Sequence, residues 1–134
     1  FAGRQTEDAL GPRAMLILYV VGAYAAALAQ WLVALWIPGG DPLVPMAGAS
    51  GAISALIAAY AILYGRSRAR AIGPIPALWV QTAWLTLAWT AINYGVAVAG
   101  SAMGLSIAWA AHVGGFVAGL ALARALLRFR FRNA

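Results

Sequence analysis

Apolar residues fill long stretches of the chain, and short polar or glycine- and proline-rich segments interrupt them. The first stretch, residues 14–36, has no charge and a single amide, Gln30. About 20 apolar residues are enough for a helix to cross a bilayer. The segment IPGGDPLVP at residues 37–45 then breaks the pattern, since proline and glycine mark loops. A second, shorter apolar stretch follows at residues 48–65.

The second half of the chain has no charge from Ala71 to Ala123, a run of 53 residues that is too long for one span. Its natural break is the segment GSAMGLS at residues 100–106. Since every backbone polar group must be satisfied within lipid, we expect the spans to be helices. We therefore predict an all-α, polytopic transmembrane bundle, one domain over residues 1–134, with four spans at about residues 14–36, 48–65, 76–99 and 105–127.

Composition excludes the soluble alternatives. Of the 134 residues, 64% are hydrophobic and 9% are charged, whereas a soluble domain is about half apolar and a quarter charged. Neither an ordinary soluble globule nor a disordered chain fits these values. The chain has no cysteine, one histidine and three acidic residues, so we expect no disulfide, no metal site and no cofactor.

The basic residues predict how the chain sits in the membrane. All of them are arginines, and they flank the predicted spans in three groups on one side: Arg4 and Arg13, then Arg66, Arg68 and Arg70, then Arg124, Arg128, Arg130 and Arg132. Basic loops face the cytoplasm. We therefore expect an integral plasma-membrane protein, of a bacterial inner membrane, with both ends of this chain in the cytoplasm. The alternative, a basic patch for nucleic acid, is disfavoured because the arginines flank spans.

Two polar residues within the predicted spans could carry chemistry, because polar groups in a membrane are costly. Ser50 begins the second span and His112 lies in the fourth. A serine and a histidine are the minimum for an activated nucleophile, in which the imidazole takes the hydroxyl proton and returns it to the leaving group. Ser50 precedes Arg66, and His112 precedes Arg128, by the same 16 residues. At ~1.5 Å per residue both side chains lie about 24 Å above the arginines, at matched depth.

Small residues on the two helices favour a close approach of Ser50 and His112. One predicted stripe of the second span is Ser50, Ser54, Ala58, Ala61 and Gly65, and one of the fourth is His112, Gly115 and Gly119. Such stripes let membrane helices pack tightly. The alternative is that the GxxxG at residues 115–119 serves packing alone and that Ser50 is only a helix cap.

The start of the second span suits an oxyanion. The free backbone N–H groups and the dipole of a helix N-terminus favour negative charge there. We predict that the backbone at Ala49 and Ser50 holds the oxyanion, with Gly48 and Gly51 permitting close backbone approach. From the predicted topology we expect Glu7 and Asp8 on the far side of the bilayer, away from Ser50 and His112.

The other polar residues receive plainer interpretations. Asp41 is expected to be a turn residue, so the sequence favours a Ser–His dyad over a triad. We expect Gln30 and Asn93 to bond to neighbouring helices, and the third-span threonines to bond to their own helix: Thr82, Thr86 and Thr90. A substrate-contacting role for this third-span face is the alternative.

These motifs resemble those of the rhomboid family of intramembrane serine proteases. GASG at residues 48–51 matches the family's GxSG, and AHVGGFVAG at residues 111–119 matches its AHxxGxxxG. The opening GRQTEDALG at residues 3–11 is similar to the segment after the family's second core span. The resemblance covers the whole chain, which would be the last four spans of a six-helix core, and the start at Phe1 without Met suits a piece of a longer protein.

The resemblance implies a function and names its residues. Ser50 would be the nucleophile and His112 the general base and acid of an endopeptidase that cleaves transmembrane protein substrates near the outer membrane face. The third span here, the family's fifth, would act as a lateral gate.

The chain also departs from the family pattern. The family's His-x-x-x-Asn motif, whose side chains help the oxyanion hole, has no counterpart in residues 1–134, and Ser54 stands where an aromatic residue often stacks on the catalytic histidine. Because of these departures, a second hypothesis is a catalytically inactive relative that binds transmembrane client proteins. An unrelated four-helix membrane subunit, in which Ser50 and His112 are coincidental, is a third hypothesis. The sequence leaves the oligomeric state unknown.

Overall fold

The computed structural model describes residues 2–38, 40–43, 48–65 and 69–132. Arg66 and Arg68, two of the arginines used to predict the topology, lie outside the described residues. Within them the fold consists of five helices and no β-strand, so the all-α prediction is confirmed. The helices are α1 (Ala2–Leu10), α2 (Pro12–Trp36), α3 (Ser50–Tyr64), α4 (Ala77–Ser101) and α5 (Trp109–Arg130).

The helix α1 was not predicted from the sequence. It is short and mostly polar, and it buries Thr6 and Leu10 against the bundle. Gly11, at a φ of 85°, separates it from α2, a left-handed conformation that glycine adopts without strain. The Tyr64 hydroxyl at the end of α3 donates a hydrogen bond of 3.0 Å to the Gln5 carbonyl. The turn into α2 and the end of α3 thus hold α1 in place.

Helices α2, α3 and α5 form the core, and their small residues bring the backbones together. A Cβ at Gly115 would overlap the Gly51 carbonyl, and one at Gly119 would overlap the Ala55 carbonyl. The α3 residues that meet the predicted glycine stripe are therefore Gly51 and Ala55, one position along from the predicted Ser50 and Ser54. The reason is geometric: when the Ser50 side chain turns towards His112, the next residue faces the α5 backbone.

Helix α4 packs chiefly against α5 and is otherwise open. Gly100 is its one buried residue, and large apolar side chains cover its outer surface: Trp79, Trp84, Leu87 and Ile92. Exposed apolar side chains are also frequent on α2. An apolar surface of this extent is typical of a protein that faces lipid.

Two of the helices, α2 and α5, are long and apolar enough to cross a membrane by themselves. Helix α3 is apolar but has 15 residues, and α4 has 25 residues but carries Gln81, three threonines and Asn93. The structure is therefore a helical bundle, and two of its described helices meet these criteria, whereas four spans were predicted.

Candidate active site

Ser50 is the first residue of α3, directly after Ala49, which caps the helix. Its Oγ lies 2.9 Å from Nε2 of His112, near the start of α5. The prediction that these two side chains meet is confirmed as geometry, whereas their catalytic roles stay predictions. Because 62 residues separate them in the sequence, the close packing of α3 on α5 is what brings them together.

Asn93 of α4 orients the imidazole. Its Oδ1 lies 2.8 Å from Nδ1 of His112, and its Nδ2 donates a 2.9 Å hydrogen bond to the Trp89 carbonyl. Since the amide NH₂ is committed to Trp89, the oxygen faces the ring and accepts a hydrogen bond from Nδ1–H. The neutral imidazole then has a lone pair on Nε2, which is the acceptor that the Ser50 hydroxyl needs. The arrangement is a Ser–His–Asn chain rather than an isolated dyad.

Trp89 supports His112 indirectly, through its bond to Asn93, and also by direct contact with the His112 backbone. Its indole Nε1 donates a 3.2 Å hydrogen bond to the His112 carbonyl, and its ring stacks on Phe116 at 4.8 Å and 11°. Ser54 gives no aromatic support, because its hydroxyl is buried and donates to the Ser50 carbonyl at 2.9 Å. The support that the sequence left in question comes from α4.

Ser50 and His112 line a cavity of about 860 Å³. Its wall is formed by the ends of α2, α3 and α5 that lie away from α1, together with Pro42 and the Ser106–Ala108 segment. A cavity of this size accommodates an extended peptide segment or a drug-sized ligand.

Two residues for which we expected only structural roles also line this cavity: Gln30 and Asp41. Gln30 Oε1 is buried and has no hydrogen-bond partner among the described residues, so this oxygen does not make the expected bond to a neighbouring helix. Asp41 accepts a 2.8 Å hydrogen bond from the Leu43 N–H, as expected of a turn residue. Its carboxylate makes no described bond to His112.

The backbone N–H groups that we predicted to hold the oxyanion are at the start of α3. Ala49 caps α3 and accepts a 2.9 Å hydrogen bond from the Ile53 N–H, so the first-turn N–H groups at Ser50 and Gly51 have no intrahelical partner. A smaller cavity of about 120 Å³ adjoins them, lined by Gly48, Ala49 and Gly51 among others. Gly48 has a φ of 104° with open space around it, and Gly51 is buried against Ala26.

The remaining polar residues of α4 follow the sequence interpretation. Each of Thr82, Thr86 and Thr90 donates to a carbonyl one turn earlier in its own helix. Asn93 does bond to a neighbouring helix, as expected, but its partner there, the candidate base His112, was not predicted from the sequence. The available signal was its position on the same predicted face as the threonines. Within the described ranges no group of three or more His, Cys, Asp or Glu residues converges as a metal site.

Comparison with protein families gives one clear finding. The family model described as Rhomboid domain matches residues 1–129. No curated protein sequence and no solved structure matches the chain significantly.

Proposed function

Because the chain belongs to the rhomboid family, whose members are generally membrane-integral serine proteases, we propose that it is an intramembrane serine endopeptidase with Ser50 as nucleophile. The observation that carries the proposal is the 2.9 Å contact between Ser50 Oγ and His112 Nε2 inside a cavity large enough for a peptide segment. Proteases of this family act on transmembrane substrates in the bilayer.

In the proposed reaction, Ser50 Oγ attacks the scissile carbonyl while its proton passes to His112 Nε2. The imidazolium that forms is stabilised by Asn93 Oδ1, which already accepts from Nδ1–H. Nε2 then gives the proton to the leaving amine, and an acyl ester remains on Ser50. Water, activated by the same imidazole, hydrolyses the ester and restores the hydroxyl.

The negative charge of the tetrahedral intermediate needs donors that are in place beforehand. We assign this role to the backbone N–H groups at Ala49 and Ser50, assisted by the α3 dipole. Gln30 is a further candidate for substrate contact, since it is one of the residues that line the cavity.

We place the site below the outer membrane face, with α2, α3, α4 and α5 as four spans and the arginine end in the cytoplasm. Helix α3 has 15 residues, or about 22 Å at ~1.5 Å per residue, against a hydrocarbon core of about 30 Å. If its arginine end is level with the inner surface, Ser50 is recessed several ångström from the outer one. A cavity lined by Gln30, Asp41 and Ser106 would let water reach it.

The inactive, client-binding alternative is favoured by two features of residues 1–134. Ser54 stands where the family often has an aromatic residue, and no second histidine is present in this range. A fluorophosphonate separates the two functions, because it reacts only with an activated serine. We expect a charged, membrane-impermeant probe added outside sealed cells to label the protein at Ser50, and Ser50→Ala to abolish labelling.

Two controls make that labelling result decisive. A membrane-permeant fluorophosphonate shows whether Ser50 reacts at all, and Ser106→Ala removes another hydroxyl of the same cavity and is expected to leave labelling unchanged. Failure of both probes would contradict the protease assignment, whereas labelling by the permeant probe alone would contradict the outward-facing placement.

Asn93→Ala is expected to lower kcat by about 10- to 100-fold with little change in KM. A hydrogen bond to a charged partner contributes about 1.5–3 kcal/mol, and Asn93 Oδ1 bonds to a ring that becomes charged only during the reaction. Steady-state cleavage of a fluorogenic transmembrane peptide by the whole gene product containing residues 1–134 measures this effect.

The matched control for Asn93 is Thr90→Ala. Thr90 lies on the same helix, and its hydroxyl donates to the Thr86 carbonyl rather than to the site. Asn93→Asp keeps an acceptor for Nδ1–H and is expected to retain more activity than Asn93→Ala. An unchanged kcat in Asn93→Ala would show that the imidazole needs no third group.

A further inference from the structure

A second cavity lies at the opposite end of the bundle from Ser50, between the start of α2 and the end of α5. Its volume is about 380 Å³. Two arginines, Arg13 and Arg130, share its wall with apolar side chains, and no carboxylate is among its described lining residues. We call it the arginine niche. Two like charges around one cavity without an acidic lining residue favour an anionic ligand.

In the arginine niche, the arginine of α2 lies level with the arginine of α5, and the apolar residues of the two helices also lie level with each other. The part of α2 that lines the niche extends from Arg13 to Ile17, and the part of the antiparallel α5 extends from Leu126 to Arg130. Each helix therefore has an apolar residue one turn from its arginine. One helical turn rises about 5.4 Å. The niche therefore has a cationic rim at the end of the bundle and an apolar wall, extended by Phe129, that begins one turn deeper.

The guanidinium of Arg130 is held in place before any ligand binds. Its Nη1 donates a 2.7 Å hydrogen bond to the Asp8 carbonyl, and the group lies beside Gly11, where an added Cβ would be 3.8 Å from Cζ. An arginine side chain has five N–H donors in a planar fork, so a single carbonyl bond leaves most of them for a ligand. A positioned guanidinium loses less conformational freedom on binding.

We propose that the arginine niche binds an anionic phospholipid, with the phosphodiester between Arg13 and Arg130 and an acyl chain along Ile17, Leu126 and Phe129. Guanidinium groups pair with phosphate oxygens bidentately. The apolar half distinguishes a lipid from a free phosphate or a nucleic acid, neither of which would cover it. Basic pockets at the cytoplasmic end of membrane bundles have this chemistry. The proposal does not depend on proteolytic activity.

Native mass spectrometry of the detergent-solubilised full protein tests the lipid proposal directly. Phosphatidylglycerol and phosphatidylcholine with the same acyl chains are titrated against it. Each arginine near an anionic lipid contributes roughly fivefold to binding, so we expect Arg13→Gln with Arg130→Gln to weaken phosphatidylglycerol binding about 25-fold. The matched control, Arg124→Gln with Arg128→Gln, removes the same charge from α5 outside the niche and is expected to preserve binding.

Two further variants keep the test valid if the double variant is unstable. Arg13→Gln leaves the bond from Arg130 to Asp8 intact, and Leu126→Trp fills the apolar half while both arginines remain. Each is expected to weaken phosphatidylglycerol binding at unchanged helicity. Equal loss in the control pair, equal binding of phosphatidylcholine, or competition by soluble glycerophosphate as strong as by the lipid would each overturn the proposal.

Discussion

Ser50→Ala is expected to reduce peptide-bond cleavage by at least about 10⁴-fold, because it removes the atom that would form the acyl ester. His112→Ala is expected to cost about as much, since the Ser50 hydroxyl has no other described base within hydrogen-bond distance. Residues that act as one unit give non-additive losses, so the double variant should be no slower than either single one. The measurement is cleavage of a fluorogenic transmembrane peptide in proteoliposomes by the whole gene product.

Ser106→Ala is the matched control for this loss. Ser106 lines the same cavity, but no described hydrogen bond joins its hydroxyl to His112. It is expected to keep near-normal turnover, which would separate loss of the nucleophile from a general change in cavity polarity. Cleavage that survives both Ser50→Ala and His112→Ala would remove the basis for assigning proteolysis to this pair.

Gly115→Ala is expected to lower the free energy of unfolding by about 3 kcal/mol and to abolish cleavage as well. The added methyl group would overlap the Gly51 carbonyl on α3, so the two helix backbones must separate. Overpacking of a tight interface typically costs about 1–3 kcal/mol, and a backbone group yields less readily than a side chain. Because Ser50 and His112 lie on the helices that separate, their hydrogen bond would lengthen too. Thermal unfolding in detergent measures the change in stability.

Gly95→Ala provides the comparison within the same protein. Gly95 lies inside α4, and a Cβ there would have no neighbour within 4 Å. Alanine is favoured over glycine inside a helix by about 0.5–1 kcal/mol, so this variant is expected to be neutral or slightly more stable. Similar destabilisation by both substitutions would contradict the close-packed interface as the cause.

The sequence predicts the meeting of Ser50 and His112 well because two regular features of the helices point to it. Equal separation from the arginines predicts the same depth in the membrane for both residues, and small residues at helical spacing indicate which faces pack. The rotation of α3 about its axis is harder to predict, since Gly51 and Ala55 form as good a small stripe as Ser50 and Ser54. Only the three-dimensional contact of α3 with α5 distinguishes them.

Asn93 shows a second limit of the sequence. Its spacing from Thr86 and Thr90 places it on one polar face of α4. The pattern predicts a bond to a neighbouring helix, but nothing in it distinguishes His112 from the other residues of that helix as the partner. The distinction depends on the separation of α4 from α5, which the contacts of Trp89 with His112 and Phe116 set. The short α1 escaped prediction for a related reason: nine largely polar residues fold as a helix only when docked on the bundle.

Because α4 packs chiefly against α5 alone, its movement could set the order of substrate entry and cleavage. This helix holds the imidazole through Asn93 and Trp89, yet it packs chiefly against α5. If a substrate enters by pushing α4 sideways, the same displacement breaks the bond that keeps the Nε2 lone pair aimed at Ser50. Substrate entry and peptide-bond cleavage would then be successive events. The Ser50 hydroxyl would become reactive only after α4 has returned to its position against α5 with the peptide bound.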